Sequence, residues 1–206
     1  MAQVSGTEGY AEEAEALTVQ YESITFAQAQ SSILHLIPPH PCRVIDIGAG
    51  TGRDAAGFAA LGHQVLAVEP TDALRSRAQA LHPHPDIEWL NDSLPDLARV
   101  TARGETFDVV MLTAVWMHLD ETQRRRAMPN VASLVSPGGV MSLSLRYGPV
   151  PPGRRMLAVS ADETVSLAQK EGLELVFSRS HLDSALKRPG VSWTRLAFVR
   201  PVSPPR

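Results

Sequence analysis

Val44-Ile45-Asp46-Ile47-Gly48-Ala49-Gly50-Thr51-Gly52 is the stretch that decides how this 206-residue chain is read. The short apolar run Val44 to Ile47 has the length and β-branched character of a buried strand. The glycines that follow make a turn almost without side chains, so backbone N–H groups can approach a ligand and the next helix points its N-terminus at it. The next apolar run, Gln64 to Val68, ends at Glu69, 19 positions after Gly50. That is close to the roughly 20 residues separating a glycine turn from a ribose-holding acid in a nucleotide-binding βαβ unit.

A dinucleotide fingerprint, G-x-G-x-x-G, needs a glycine at position 53, where this chain has Arg53. The pattern is Asp-x-Gly-x-Gly-x-Gly instead, from Asp46 to Gly52. It resembles motif I of the class I S-adenosylmethionine-dependent methyltransferases, in their small single-domain bacterial form. The resemblance covers about 40–200. It implies S-adenosyl-L-methionine as cofactor, S-adenosyl-L-homocysteine as product, and a Rossmann-like α/β fold. The implied sheet is seven-stranded and mostly parallel, ordered 3-2-1-4-5-7-6 with the last strand antiparallel, and has helices on both faces. It also implies that Gly48, Ala49, Gly50, Thr51 and Gly52 pack against the methionine part of the cofactor, with Asp46 orienting the turn. Glu69 then holds the ribose hydroxyls beside Pro70, and Asp92 meets the adenine amino group with Ser93 and Leu94 beside it. Thr113 closes the site, and Tyr21, within N-terminal helices that resemble a cap, covers it.

Bulk properties narrow the function classes. With 44% hydrophobic and 20% charged residues, the chain has the composition of an ordinary globular domain. A net charge of −3 argues against a nucleic-acid binder built on a broad basic surface. The single cysteine, Cys42, cannot form an internal disulfide and fits a reducing compartment. Met1 to Tyr10 has neither the basic nor the apolar region of a signal peptide, and no run of about 18 apolar residues would span a membrane. Cytoplasmic placement is the resulting expectation.

Strand and helix patterns alternate along the chain, as in an α/β fold with a mostly parallel sheet. One domain is expected over 1–206: a helical cap to about 40, a core over 41–200 and a frayed tail over 201–206. Helical pattern over 11–37 breaks near Glu22-Ser23 and stops at Pro38-Pro39. Strands are expected at 43–47, 64–68, about 86–90, 107–112, 140–145, 173–178 and 193–199. Helices are expected at 53–61 with Gly62 as C-cap, from a Thr71 cap to Leu81, from Pro95 to about Ala102, over 120–135, and from a Ser160 cap to 171. Pro137-Gly138-Gly139 reads as a tight turn before the fifth strand, and Arg124-Arg125-Arg126 as a solvated helix face.

Ligands in open α/β sheets bind beyond the carboxyl ends of the strands. At that edge lie two sets suited to an acceptor. Thr113 to His118 follows the fourth strand, where the resemblance places the acceptor site. His118 is the candidate general base, since a neutral imidazole suits proton removal near neutral pH. The competing reading is a histidine that caps a loop. Trp116 either walls the acceptor pocket or fills the core. Arg146, with Arg154 and Arg155 in the loop after it, offers guanidinium groups for a carboxylate or phosphate; the competing reading for the last two is solvated loop residues. The competing reading for Asp92 is a cap for the Pro95 helix, where Ser93 could serve too. His82 and His84 lack further ligands, so no metal site is expected. The expected function is methyl transfer to a small-molecule acceptor through O, N or S, with no nucleic acid and no membrane involved. A protein acceptor, a non-catalytic S-adenosylmethionine-binding module and a nicotinamide oxidoreductase are the alternatives.

Overall fold

A computed structural model of the chain, describing residues 4–202, resolves the alternation into seven strands among those residues. They are β1 Arg43–Ile47, β2 Gln64–Val68, β3 Ile87–Leu90, β4 Phe107–Leu112, β5 Val135–Tyr147, β6 Glu174–Asp183 and β7 Ser192–Val199. Their order is β3-β2-β1-β4-β5-β7-β6. Neighbours from β3 to β5 pair in parallel, and β7 runs antiparallel to both β5 and β6. The expected Rossmann-like sheet is therefore present. Between β1 and β4 the winding changes direction, which opens a crevice beyond their carboxyl ends.

The helices are α1 Ala14–Glu22, α2 Phe26–Gln30, α3 Arg53–Ala60, α4 Asp72–Leu81, α5 Ala98–Thr101, α6 Glu121–Ser133 and α7 Ala161–Lys170. Strand periodicity sends Val44 to one face of the sheet and Ile45 and Ile47 to the other. Val44, Val65, Val109 and Met111 form one apolar layer with Phe58 of α3. Ile45, Ile47, Val110, Leu112 and Leu143 form the opposite layer with Met128 and Val131 of α6. Both faces of the central strands are thus buried, which explains their nearly continuous apolar sequence.

An apolar contact helps to fasten the N-terminal helices. Phe26 of α2 stacks edge-on against Phe58 at 4.8 Å and lies over Gly57, where a Cβ would land on the Phe26 ring. Glycine in a helix interior costs about 1 kcal/mol relative to alanine; here it makes room for the α2 ring on α3. A capping box of Thr25 and Gln28 starts α2, and Asp120 with Gln123 starts α6 in the same way.

Several expectations need correction. Pro137-Gly138-Gly139 is part of β5 rather than a turn before it: Gly138 N–H donates to Arg200 O at 2.7 Å and Arg200 N–H to Gly139 O at 3.0 Å, which extends the ladder past the proline. β6 continues to Asp183, beyond the expected end at 178, because β7 pairs with it that far. Pro95 does not open a helix; α5 begins at Ala98. Thr71 stands at the N-cap of α4, but its side chain makes no cap hydrogen bond. Arg124 is not on a solvated face. It is buried, pairs with Glu163 of α7 through two bonds at 2.9 and 3.1 Å, and donates to Leu119 O at 2.7 Å. Arg125 and Arg126 are exposed and paired to Glu121 and Asp96. Of the expected tail, 203–206 lie outside the described residues. Among the described residues no helix is long and apolar enough to cross a membrane.

Candidate active site

The glycine turn folds as its composition requires. Gly48 and Gly52 hold φ of +75° and +85°, conformations that L side chains rarely adopt. Space is short as well: a Cβ at Gly48 would come 2.5 Å from a Val115 methyl, and one at Gly52 would come 2.8 Å from the Trp89 ring. The turn is tied to β2 by Gly48 and Ala49 N–H groups, which donate to Val68 O at 2.8 and 3.0 Å. Glu69 completes the tie. Its Oε2 accepts from Gly50 N–H at 2.9 Å and its Oε1 from Thr71 N–H at 2.8 Å. Each oxygen keeps a further lone pair for a ligand hydroxyl. Burial raises the Glu69 pKa, and these backbone hydrogen bonds oppose the rise.

Asp46 lies under the turn, 2% exposed, and its Oδ2 has no hydrogen-bond partner among the described residues. Burial pushes its pKa well up, and the Asp54 carboxylate adds to the push. The native chain therefore keeps a proton that the unfolded chain releases, so this group makes stability fall as pH rises from the ordinary carboxylate range. From about pH 5 to pH 7, wild-type protein without ligand is expected to lose stability relative to Asp46→Asn. Thermal melts of the two proteins at both pH values check this; parallel profiles would contradict it.

Asp92 serves as the helix cap. Its Oδ2 accepts from Arg99 and Val100 N–H at 2.8 and 2.9 Å, and its Oδ1 accepts from Ser93 N–H at 2.9 Å. The same residue also lines a cavity of about 470 Å³ beyond the strand ends, a size typical of small-molecule sites. Asp46, the 48–51 backbone, Glu69, Pro70, Ser93, Leu94, Thr113 and Tyr21 line it too, so the structure brings almost the whole expected cofactor set together. Gly52 is the exception; it is absent from the lining and packs against Trp89.

The expected acceptor set fares differently. His118 lines the cavity, but both ring nitrogens are engaged: Nδ1 lies 2.7 Å from Arg155 O and Nε2 lies 3.0 Å from the Tyr10 hydroxyl. A carbonyl only accepts, so Nδ1 carries the proton and Nε2 accepts from Tyr10. Burial lowers the His118 pKa, with the Arg155 carbonyl opposing, and favours this neutral ring. Trp116 is fully buried in the core and does not wall the cavity. Arg146, Arg154 and Arg155 do not line it either. Arg146 donates to Gly148 and Pro149 carbonyls; Arg154 lies over the Tyr10 ring and pairs with Glu13 at 2.7 Å. Arg155 donates to His118 O at 2.7 Å and pairs with Asp120 at 3.2 Å. None of the three is a free solvated cation; they fasten the loop after β5 to the N-terminal segment and to the turn around His118. His82 Nε2 faces Glu22 at 3.4 Å, and no group of three or more His, Cys, Asp or Glu among the described residues has a metal-holding arrangement.

The cavity is also lined by residues that sequence reasoning missed: Tyr10, and Arg179, Leu182, Trp193 and Arg195 of the β6–β7 hairpin. Arg195 had a readable signal. It interrupts the apolar strand Leu196-Ala197-Phe198 at a position where a charged residue is almost never fully buried without a partner.

Comparison with known proteins places this geometry. A family described as a methyltransferase domain matches residues 44–139, just under half of the chain. Glycine N-methyltransferase from Mus musculus is 28% identical over 151 residues, covering 63% of this chain and 52% of that protein. An uncharacterized methyltransferase of Mycobacterium bovis is 32% identical over 111 residues, covering 51% of this chain and 54% of that one. The chain thus spans about half the length of these curated relatives. Among solved structures, a TehB-like SAM-dependent methyltransferase from Corynebacterium glutamicum superposes with a TM-score of 0.68 at 21% identity, over 92% of this chain and 98% of that one. The Burkholderia thailandensis 1,6-didemethyltoxoflavin-N1-methyltransferase superposes with a TM-score of 0.66 at 18% identity, over 98% of this chain and 93% of that one. At those identities the likeness is one of fold.

Proposed function

We propose that the chain is a class I S-adenosylmethionine-dependent methyltransferase and that it transfers the cofactor's methyl group to a small-molecule acceptor. One observation carries the reading: the Glu69 carboxylate is bolted to the Gly50 amide at the cavity wall, so acid and glycine turn form one unit aimed at the same ligand. The residues present fit the cofactor. The 48–51 backbone and the unpartnered Asp46 Oδ2 suit its amino-acid end, Glu69 its ribose, and Asp92 with Ser93 and Leu94 its adenine, while Pro70, Thr113 and Tyr21 add walls. S-adenosylmethionine, when bound, supplies a sulfonium methyl that an acceptor lone pair can take by in-line displacement.

The protein's part is alignment, for which effective molarities of about 10⁵ M or more are available. Tyr10 is the group placed to take the acceptor's proton, passing its own to the bare Nε2 of His118, while the Arg155 carbonyl holds the imidazole in the tautomer this requires. His118 acts behind Tyr10 and not on the acceptor directly. The likeness to glycine N-methyltransferase from Mus musculus supports a small acceptor.

Calorimetric titration with S-adenosylhomocysteine, with NADH as control, tests the reading. Micromolar binding of the first and none of the second is the expected result. Binding of NADH alone would point to an oxidoreductase. S-adenosylhomocysteine binding with no transfer to any of a broad panel of small molecules and protein fractions would leave a binding module.

A further inference from the structure

Among the described residues, a buried cation in the cavity wall has a guanidinium nitrogen without a hydrogen-bond partner. Arg195 lies on β7, in register with Ser144 of β5 and Arg179 of β6. It is only 6% exposed, yet its Nη1 is buried with no hydrogen-bond partner among the described residues, and its Nη2 reaches only the Ala29 carbonyl, at 3.5 Å. Asp54, the acid whose charge it feels, is already committed: Arg53 pairs with its Oδ1 at 2.8 Å and Gln30 donates to its Oδ2 at 2.5 Å. Burial draws the Arg195 pKa down to about 10, which still leaves the guanidinium charged at neutral pH. Burying a guanidinium nitrogen with no partner is costly, so an arrangement like this makes sense when a ligand completes it.

We propose that Arg195 is the specificity residue for the methyl acceptor and that the acceptor is a small carboxylate, held through the free edge of this guanidinium. The inference rests on the methyltransferase reading above. Arg179, exposed on the neighbouring strand, adds positive charge, and Trp193 and Leu182 offer apolar wall for the rest of the molecule. A monoanion fits better than a phosphate dianion, because one negative charge is enough for the single unpartnered guanidinium edge and a second would lie among the Asp54, Glu69, Asp92 and Asp183 side chains that share the lining. Guanidinium and carboxylate also match edge to edge, with two parallel hydrogen bonds.

The test uses the full chain saturated with S-adenosylhomocysteine, and melts it with acetate, glycine and benzoate against acetamide, glycinamide and benzamide. At least one acid is expected to raise the Tm where its amide does not, with phenyl phosphate weaker than benzoate. Arg195→Met should weaken that acid at least tenfold, leave S-adenosylhomocysteine affinity unchanged, and melt without ligand no lower than wild type, since an unpaired charge has gone. Arg195→Lys, which keeps a cation without the fork, should retain part of the preference; it carries the test if the methionine variant fails to fold. Acids no better than amides, an acid shift that survives Arg195→Met, or a phosphate that outbinds the carboxylates would overturn the proposal. So would a variant that loses S-adenosylhomocysteine but not 5′-methylthioadenosine, because Arg195 would then be serving the cofactor's own carboxylate. If wild-type protein bound no S-adenosylhomocysteine, the methyltransferase reading itself would fall, a result distinct from all of these.

Discussion

Glu69→Ala is expected to weaken S-adenosylhomocysteine binding by about 100-fold or more. A hydrogen bond to a charged group contributes about 1.5–3 kcal/mol. The carboxylate has a spare lone pair on each oxygen, one for each ribose hydroxyl. Two such bonds amount to at least about 3 kcal/mol, or two factors of ten in affinity. The substitution also strips Gly50 and Thr71 of their acceptors, so part of the loss comes from a loosened turn. Glu69→Gln separates the contributions: it keeps one acceptor oxygen and the side-chain shape, and should fall between wild type and alanine. Calorimetry on the three proteins decides, and an alanine variant within a few-fold of wild type would remove the ribose role.

Tyr10→Phe is the second large effect, with an expected loss of about 10²-fold in turnover at nearly unchanged S-adenosylhomocysteine affinity. The phenyl ring keeps the edge contact to His118 at 5.5 Å and the stack under Arg154 at 4.2 Å, so the N-terminal segment stays in place and only the hydroxyl is lost. His118→Gln should cost a similar factor, and the double variant little more, because the two groups handle one proton in series. Single-turnover methyl transfer measures this where chemistry limits the rate. The pH profile adds a sign: burial holds the His118 pKa below its ordinary value, so turnover should hold through neutrality and fall only below about pH 6.5. Full turnover in Tyr10→Phe would reduce the pair to a latch on the loop after β5.

What the sequence made legible follows from how local each signal was. β1, β2 and β4 were readable to the residue because each is an apolar run bounded by turn residues, and the Gly50–Glu69 spacing is itself a sequence property. Arg124 was misread because nothing in an Arg-Arg-Arg run says which side chain will meet Glu163, 39 positions on, across a helix pair. Tyr10 and His118 are 108 positions apart, and only the fold makes them partners. Arg154 and Arg155 look solvated in a proline-rich loop, and become fasteners once Glu13 and Asp120 are brought beside them. Pro137-Gly138-Gly139 carried turn chemistry, and a strand pairing with Arg200 overrode it.

The stretch that matches the methyltransferase-domain family, 44–139, contains the glycine turn, Glu69 and Asp92, whereas Tyr10, Arg179, Trp193 and Arg195 all lie outside it. The cavity wall therefore draws both on the matched stretch and on the segments to either side of it. Substitutions in the N-terminal segment or the last hairpin can reshape that part of the wall while the matched stretch, with its glycine turn and Glu69, stays unchanged. Ancestry traced through the central stretch alone would leave Tyr10, Trp193 and Arg195 out of the record.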